Sequence, residues 1–291
     1  MIIVVLAVFG VIFGSFVNAL VWRLHEREEL RAQIIELRKK KAGTQQVEAL
    51  SAKLQALSIT TGRSMCPHCR HELAAKDLVP LLSWLSLRGE CRYCHKPISW
   101  QYPLVEAFTG VLFAVSYISW PLVLHGAGLF QFMLWLIFLV GFVALTVYDL
   151  RWFTLPDKIV LPLSGLAAIQ VVVVAVWLQS FSALWQPVAG AAIIFGLFWS
   201  LYQVSGGKWI GGGDVKLAVA LGLLAGTPLK AFLVIFFASL LGTLVSIPIL
   251  AQGKQGLKVH IPFGPYLLAA AIIVVLYGSH IMNWYQNLLL P

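Results

Sequence analysis

The sequence predicts an all-α polytopic membrane protein with about eight transmembrane helices, a charged helical arm and a small cytoplasmic subdomain. Three observations predict it. Hydrophobic residues make up 59% of the 291 residues and charged residues only 11%, against roughly 25% charged in soluble domains. Apolar runs long enough to cross a hydrocarbon core of about 30 Å recur along the chain. The charges are concentrated: 14 of the 21 basic and 8 of the 12 acidic residues lie between Val21 and Tyr102. Disorder is excluded, because 17 Phe, 11 Trp and 8 Tyr need burial. The formal net charge of +9 would suggest nucleic acid on a soluble protein. On a chain this apolar it reports membrane orientation, and no nucleic-acid partner is expected.

The elements follow in order. Spans are expected near Met1–Val21, Pro103–Trp120, Ala127–Tyr148, Ile159–Gln179, Ala183–Val204, Val215–Ala225, Leu229–Leu250 and Gly264–Met282. The sixth is short and glycine-interrupted, and reads as a tilted or half-buried helix. Met1–Leu20 lacks a basic n-region and a small-residue cleavage site, so it reads as a retained first span and not as a secretory signal. Residues 1–22 form the first transmembrane helix, 23–102 the cytoplasmic arm and subdomain, and 103–291 the membrane body. Within the arm, Glu26–Lys41 and Val47–Leu57 carry helical patterns laced with charge, the signature of a solvated helical hairpin, with a contact surface for anionic lipid or a partner as the alternative.

Placing residues 21–102 in the cytoplasm also puts the loops around Asp149–Lys158, Gln203–Lys216 and Gln252–Lys258 inside. The inner side then holds 20 of the 21 basic residues, Lys230 alone lying outside. The N-terminus is therefore expected outside.

All four cysteines fall in one pattern, Cys66-Pro67-His68-Cys69 and, after 21 residues, Cys91-Arg92-Tyr93-Cys94. Two CxxC knuckles offer four thiolates from two tight turns, which close a tetrahedron around Zn²⁺. In a reducing cytoplasm a metal is favoured over disulfides. Four thiolates leave no open position, so the expected zinc is structural. His68, His71 and His95 lie nearby and read as surface residues.

From Pro103 onward there are four acids: Glu106, Asp149, Asp157 and Asp214. Ionisable residues at membrane depth are costly and are candidates for function. Glu106, after Tyr102-Pro103, reads as a first-turn carboxylate at the positive end of a helix dipole. Asp157, in Leu155-Pro156-Asp157-Lys158, reads as a helix cap or as active-site support. Asp149 follows an apolar run directly, at a helix C-terminus, where the dipole disfavours an anion. An ion pair with Arg151 is its bland alternative. Asp214 ends Gly211-Gly212-Gly213-Asp214, an arrangement whose backbone freedom exceeds what a cap requires.

Asp149 and Asp214 both fall at the cytoplasmic edge of the bilayer. Two carboxylates brought together share one proton. The charged member activates water and the protonated one polarises a peptide carbonyl, which is aspartic-protease chemistry.

The chain resembles the type IV prepilin peptidases, bacterial membrane aspartic proteases of the GxGD type, over nearly its whole length. The resemblance rests on Gly14-Ser15-Phe16-Val17-Asn18, the two CxxC pairs with Pro80-Leu81-Leu82-Ser83-Trp84-Leu85 and Tyr102-Pro103-Leu104-Val105-Glu106, Asp149 through Asp157, Gly211 through Leu217, and Pro262-Phe263-Gly264-Pro265. His25 and Gln101 depart from the family pattern without touching the aspartates. The resemblance implies removal of the short basic leader from prepilins and pseudopilins at the cytoplasmic face of the inner membrane, with Asp149 and Asp214 catalytic and Gly211, Gly213 and Asp157 in support. It also implies N-methylation of the new N-terminus with S-adenosylmethionine, in service of type IV pili or type II secretion. No Gly-rich turn of GxGxxG type places that cofactor.

Two other readings stand beside it. Tyr-Asp plus GxGD also resembles presenilin-type intramembrane proteases, whose Pro-Ala-Leu motif is absent here. An ion-coupled transporter would use membrane carboxylates too, but both aspartates lie near one face and no inverted repeat is visible.

Overall fold

Every apolar run of the sequence folds as a helix in the computed structural model, which describes residues 1–40, 44–58, 62–251 and 261–289. Among the described residues there is no strand, only two isolated β-bridges. The loop expected inside at Gln252–Lys258 lies outside them. The helices are α1 (Ile2–Lys39), α2 (Thr44–Ala56), α3 (Leu82–Ser86), α4 (Gln101–Ile118), α5 (Gly126–Trp152), α6 (Asp157–Leu178), α7 (Ser182–Ser205), α8 (Gly212–Ala225), α9 (Pro228–Leu250) and α10 (Gly264–Leu289). Six of them, α1, α5, α6, α7, α9 and α10, are long and apolar enough to cross a membrane. The expected count of eight is thus not reached on length and composition. The chain is a multi-pass membrane protein all the same. The two that fall short are α4, whose first turns are polar, and α8, whose 14 residues span about 21 Å at 1.5 Å per residue.

The chain divides into two compact units, Met1–Val115 and Ser116–Pro291. In the first, the expected span and the first arm helix are one continuous α1, because no glycine or proline interrupts residues 15–40. Helix α2 packs back against α1. Arg27 Nη1 donates to the carbonyls of Leu54 at 2.9 Å and Leu57 at 3.1 Å, satisfying the last turn of α2 with a cation, as its dipole favours.

Helix α4 lies antiparallel against the apolar part of α1, and two glycines set the approach. A β-carbon on Gly10 would lie 2.6 Å from the Thr109 carbonyl oxygen, and one on Gly14 would lie 2.7 Å from Glu106 Cα. Because α4 begins at Gln101, Glu106 falls in its second turn and not, as the sequence suggested, in the first. Its carboxylate is buried. It accepts the Leu81 N–H at 2.7 Å and a hydrogen bond from the Ser15 side chain. Glu106 therefore ties three segments together instead of complementing a helix end.

In the second unit α8 packs against α6, α7, α9 and α10. Small residues allow this enclosure: a β-carbon on Gly222 would collide with the backbone of Ala191. Leu217, Ala218, Ala220 and Leu221 are completely buried. Enclosure of α8 fixes its N-terminal Asp214 against the ends of neighbouring helices.

Candidate active site

Asp149 occupies the last turn of α5. The helix ends at Phe153, which adopts left-handed φ of 54°. Its N–H closes on the Asp149 carbonyl at 2.8 Å, so the chain turns sharply toward Leu155. Asp149 is 5% exposed. It makes no ion pair with Arg151, whose guanidinium lies over the Trp152 ring at 5.6 Å. The Asp149 carboxylate instead accepts the backbone N–H of Gly264, the first residue of α10. A β-carbon on Gly264 would collide with Asp149 Oδ2. Only glycine allows the start of α10 so close to this carboxylate.

Asp214 is the third residue of α8, whose N-cap is Gly211. Its carboxylate accepts the Gly211 N–H, the reach-back half of a capping box. One oxygen is thus engaged. The other, Oδ1, is buried and has no hydrogen-bond partner among the described residues. Buried carboxylate oxygens without partners are rare and costly. Capping alone leaves this one unexplained. The charge of Asp149 acts directly on Asp214, so the two carboxylates form one electrostatic pair.

Leu155 wedges the two halves of this pair together. A β-carbon on Gly213 would lie 2.8 Å from Leu155 Cβ, and one on Gly264 would lie 3.5 Å from Leu155 Cδ2. The loop after Asp149 thus touches both the glycine run before Asp214 and the glycine that faces Asp149. Asp157 sits just inside α6, which has no side-chain cap, so the capping expectation does not hold. Its carboxylate takes Lys216 Nζ at 2.7 and 2.8 Å. Both partners are about half exposed, and such pairs contribute under about 1 kcal/mol. The contact links the start of α6 to the second turn of α8.

The cysteine knuckles lie in the first unit. In each, the first cysteine N–H bonds the carbonyl five residues on (His71, Lys96), and its own carbonyl accepts the N–H four residues on (Arg70, His95). Arg70 and His95 both take positive φ, 60° and 56°. The two knuckles are therefore one turn used twice. The four Sγ atoms lie within 4.8 Å of one another, with Cys66 and Cys94 at 3.9 Å. Metal–sulfur bonds of about 2.3 Å give tetrahedron edges of about 3.8 Å, so the group can hold a metal ion. Burial opposes ionisation of Cys66, yet the amides of Cys69 and His68 and the neighbouring thiols bring it down to about 7. Cys94 is pushed up to about 11, since burial and the other three thiols outweigh the Lys96 amide. A bound cation relieves this clash among thiols. Beside them Asp77, though its burial opposes charge, is held below the usual carboxylate range by hydrogen bonds from Arg92 and Tyr93.

Residues 8–120 match the bacterial peptidase A24 N-terminal domain family, and residues 136–247 match the type IV leader peptidase family. A prepilin leader peptidase/N-methyltransferase of Stutzerimonas stutzeri is 32% identical, over 96% of this chain and 91% of its own length. The chain belongs to the type IV leader peptidase family. Proteins of the same description from Aeromonas hydrophila (37% identical, 77% of this chain, 74% of that protein) and Pseudomonas aeruginosa (32% identical, 95% of this chain, 90% of that protein) are similar to it. No solved structure matches. The first family match spans the cysteine knuckles and the second spans both aspartates, so both sites belong to family regions.

Sequence reasoning left the parts played by Gly264, Leu155 and Lys216 unstated. Gly264 between two prolines was the available signal, since a glycine there marks a backbone that something approaches closely.

Proposed function

We propose that this chain is a membrane aspartic endopeptidase. In this reading it removes the short basic leader from prepilins and pseudopilins at the cytoplasmic face of the inner membrane, with the N-terminus outside. Asp149 and Asp214 are the catalytic pair. The single observation that carries the assignment is the buried, unpartnered Asp214 Oδ1 beside a carboxylate whose charge it feels. The Gly264 and Gly211 amides hold one side of each carboxylate and leave the pair to share a proton. The ionised member takes a proton from water. The resulting hydroxide adds to the scissile carbonyl, while the protonated member donates to the carbonyl oxygen. Collapse of the tetrahedral intermediate breaks the C–N bond, and a proton returns to the leaving amine. Gly211 and Gly213 let the start of α8 come close to the Leu155 loop. Asp157 steadies it through Lys216.

N-methylation of the new N-terminus with S-adenosylmethionine belongs to the same proposal, through the family resemblance. A cavity of about 400 Å³ beside α9 and the start of α10 is lined by Ser239, Thr243, Ser246, Phe263 and Tyr266 among others. None of its described lining residues is an acid that could take the ribose hydroxyls. It does not fit the cofactor, and no residue is assigned to it.

Cys66, Cys69, Cys91 and Cys94 would hold a structural Zn²⁺, which cross-links the two knuckles. Metal analysis is expected to find about one zinc per chain. Chelation should expose all four thiols to alkylation and raise proteolytic nicking between residues 64 and 100, while Asp149 and Asp214 stay in place. A chain that carries no zinc and has four freely alkylatable thiols would overturn the metal assignment.

The function is tested by incubating detergent-purified protein with a prepilin and isotope-labelled S-adenosylmethionine, then reading the product's N-terminus by mass spectrometry. Expected is a shortened prepilin with a labelled methyl group on its new first residue. Uncut prepilin in the presence of intact protein would defeat the proteolytic reading. A cut but unlabelled product would defeat only the methylation.

A further inference from the structure

The segment between the two knuckles carries a structure that the metal site does not require. Leu81 has φ 60° and ψ −52°, and the Leu82 N–H closes on the Pro80 carbonyl at 2.6 Å. This is a γ-turn with positive central φ, a rare and strained form. No glycine is present to relieve it. What holds it is Glu106, whose carboxylate takes the N–H of the apex residue Leu81.

The depth of that contact is fixed by α1. Glu106 lies against Gly14 and hydrogen-bonds Ser15. Ser15 precedes the first charged residue of α1, Arg23, by eight positions, which is about 12 Å along a helix axis. The γ-turn therefore reaches well below the level at which α1 becomes charged.

Helix α3 climbs from this point. Its first end is tied to Glu106. Further along, Trp84 packs against Trp100, ring centroids 4.3 Å apart and planes tilted by 53°, and donates its indole N–H to the Ile98 carbonyl at 3.3 Å. α3 thus runs beside the first turns of α4, from buried depth toward the aromatic pair. One face of it is bare: Leu82 and Leu85, three residues apart, are 65% and 69% exposed, and Trp100 is 66% exposed. The neighbouring face of α4 shows Leu104, Phe108 and Val111 in the same way, at the depth of the apolar half of α1, where lipid is the solvent. Tryptophan at the upper end suits the headgroup level.

We propose that the Val79–Ser86 segment is inserted into the cytoplasmic leaflet. Leu82 and Leu85 contact lipid acyl chains, Trp84 and Trp100 lie at the headgroup boundary, and the cysteine subdomain is thereby anchored to the membrane independently of its metal. The occupant of this face is the bilayer itself, because the segment is tied to α4 at Glu106 and beside it at Trp100, and both it and α4 expose large apolar side chains there. The anchor is interfacial: it dips into the bilayer without crossing it.

Photo-crosslinking tests this in the full chain, reconstituted in phosphatidylethanolamine/phosphatidylglycerol vesicles. Benzoylphenylalanine replaces Leu82, Leu85, Phe108 or Ile35, one at a time. Phe108 is the lipid-facing reference. Ile35, 54% exposed on the charged part of α1, is the aqueous one. Expected are phospholipid adducts at Leu82 and Leu85 within about twofold of Phe108 and at least about tenfold above Ile35. Adducts at the Ile35 level would overturn the proposal. So would cross-links from Leu82 and Leu85 to a second copy of the chain in place of lipid, which would make this face a dimer contact. Glu106→Gln, which keeps the acceptor oxygen and weakens the bond, is expected to lower the Leu82 adduct more than the Phe108 adduct. Each variant is scored only on protein that remains membrane-integrated after alkaline wash.

Discussion

Asp149→Asn and Asp214→Asn are each expected to slow leader removal by about a thousandfold or more, the scale of losing a general acid or base. The fold should survive both changes. An asparagine at 149 still offers an oxygen to the Gly264 N–H, and one at 214 still offers an oxygen to the Gly211 N–H. What is lost is the shared proton. An amide neither holds it nor takes one from water, and the two positions act as a unit. The double variant should therefore be little worse than either single one. The measurement is the rate of leader cleavage on purified, membrane-inserted protein at matched abundance. Full processing by either single variant would remove the pair from the chemistry.

Gly264→Ala is expected to cost about a hundredfold in activity, in line with a misplacement of about 1 Å at a reacting group. The added methyl group meets Asp149 Oδ2 and approaches Leu155 Cδ2 at 3.5 Å. Either α10 retreats or the carboxylate turns away from the Gly264 amide, and both separate Asp149 from Asp214. Overpacking of this kind costs about 1–3 kcal/mol, so a lower melting temperature should accompany the loss. Two other glycines supply the control. Gly165 in α6 and Gly196 in α7 have nothing within 4 Å of an added β-carbon. Alanine at either should leave activity intact and favour the helix by up to about 1 kcal/mol. If Gly264→Ala behaves like these two, contact with Asp149 does not limit the reaction.

Much of the helical framework could be read from hydrophobicity alone, because an apolar run in a membrane protein has few structures open to it other than a helix. All eight expected runs are helical within a few residues at most ends, apart from α1 and α10, which run on. Residue type and position singled out the two aspartates, since an acid at the C-terminal end of an apolar helix, or after three glycines, has few structural uses. Glu106 was misread for a physical reason. Proline at the third position of α4 drew the helix start to itself, whereas the helix begins at Gln101 and carries Glu106 into a buried second turn. The cap reading of Asp157 failed in the same manner: it lies one residue inside the helix it was expected to cap. The meeting of Gly264 with Asp149, and of Leu155 with Gly213 and Gly264, joins segments up to about a hundred residues apart. Local pattern does not encode such contacts. The doubled knuckle, in contrast, was written in the spacing, and the structure adds the matching left-handed residues Arg70 and His95.

The unbroken α1 has a mechanical consequence. Its 38 residues make a rod of about 57 Å, of which a bilayer core occupies about 30 Å. The remainder stands out from the membrane as a stalk without a joint, stiffened by α2 and clasped by Arg27. Torque applied to the tip of that stalk would be delivered to Gly10 and Gly14, where the rod bears on α4. Whatever grips the charged hairpin from outside thus holds a lever whose short arm lies within the bilayer.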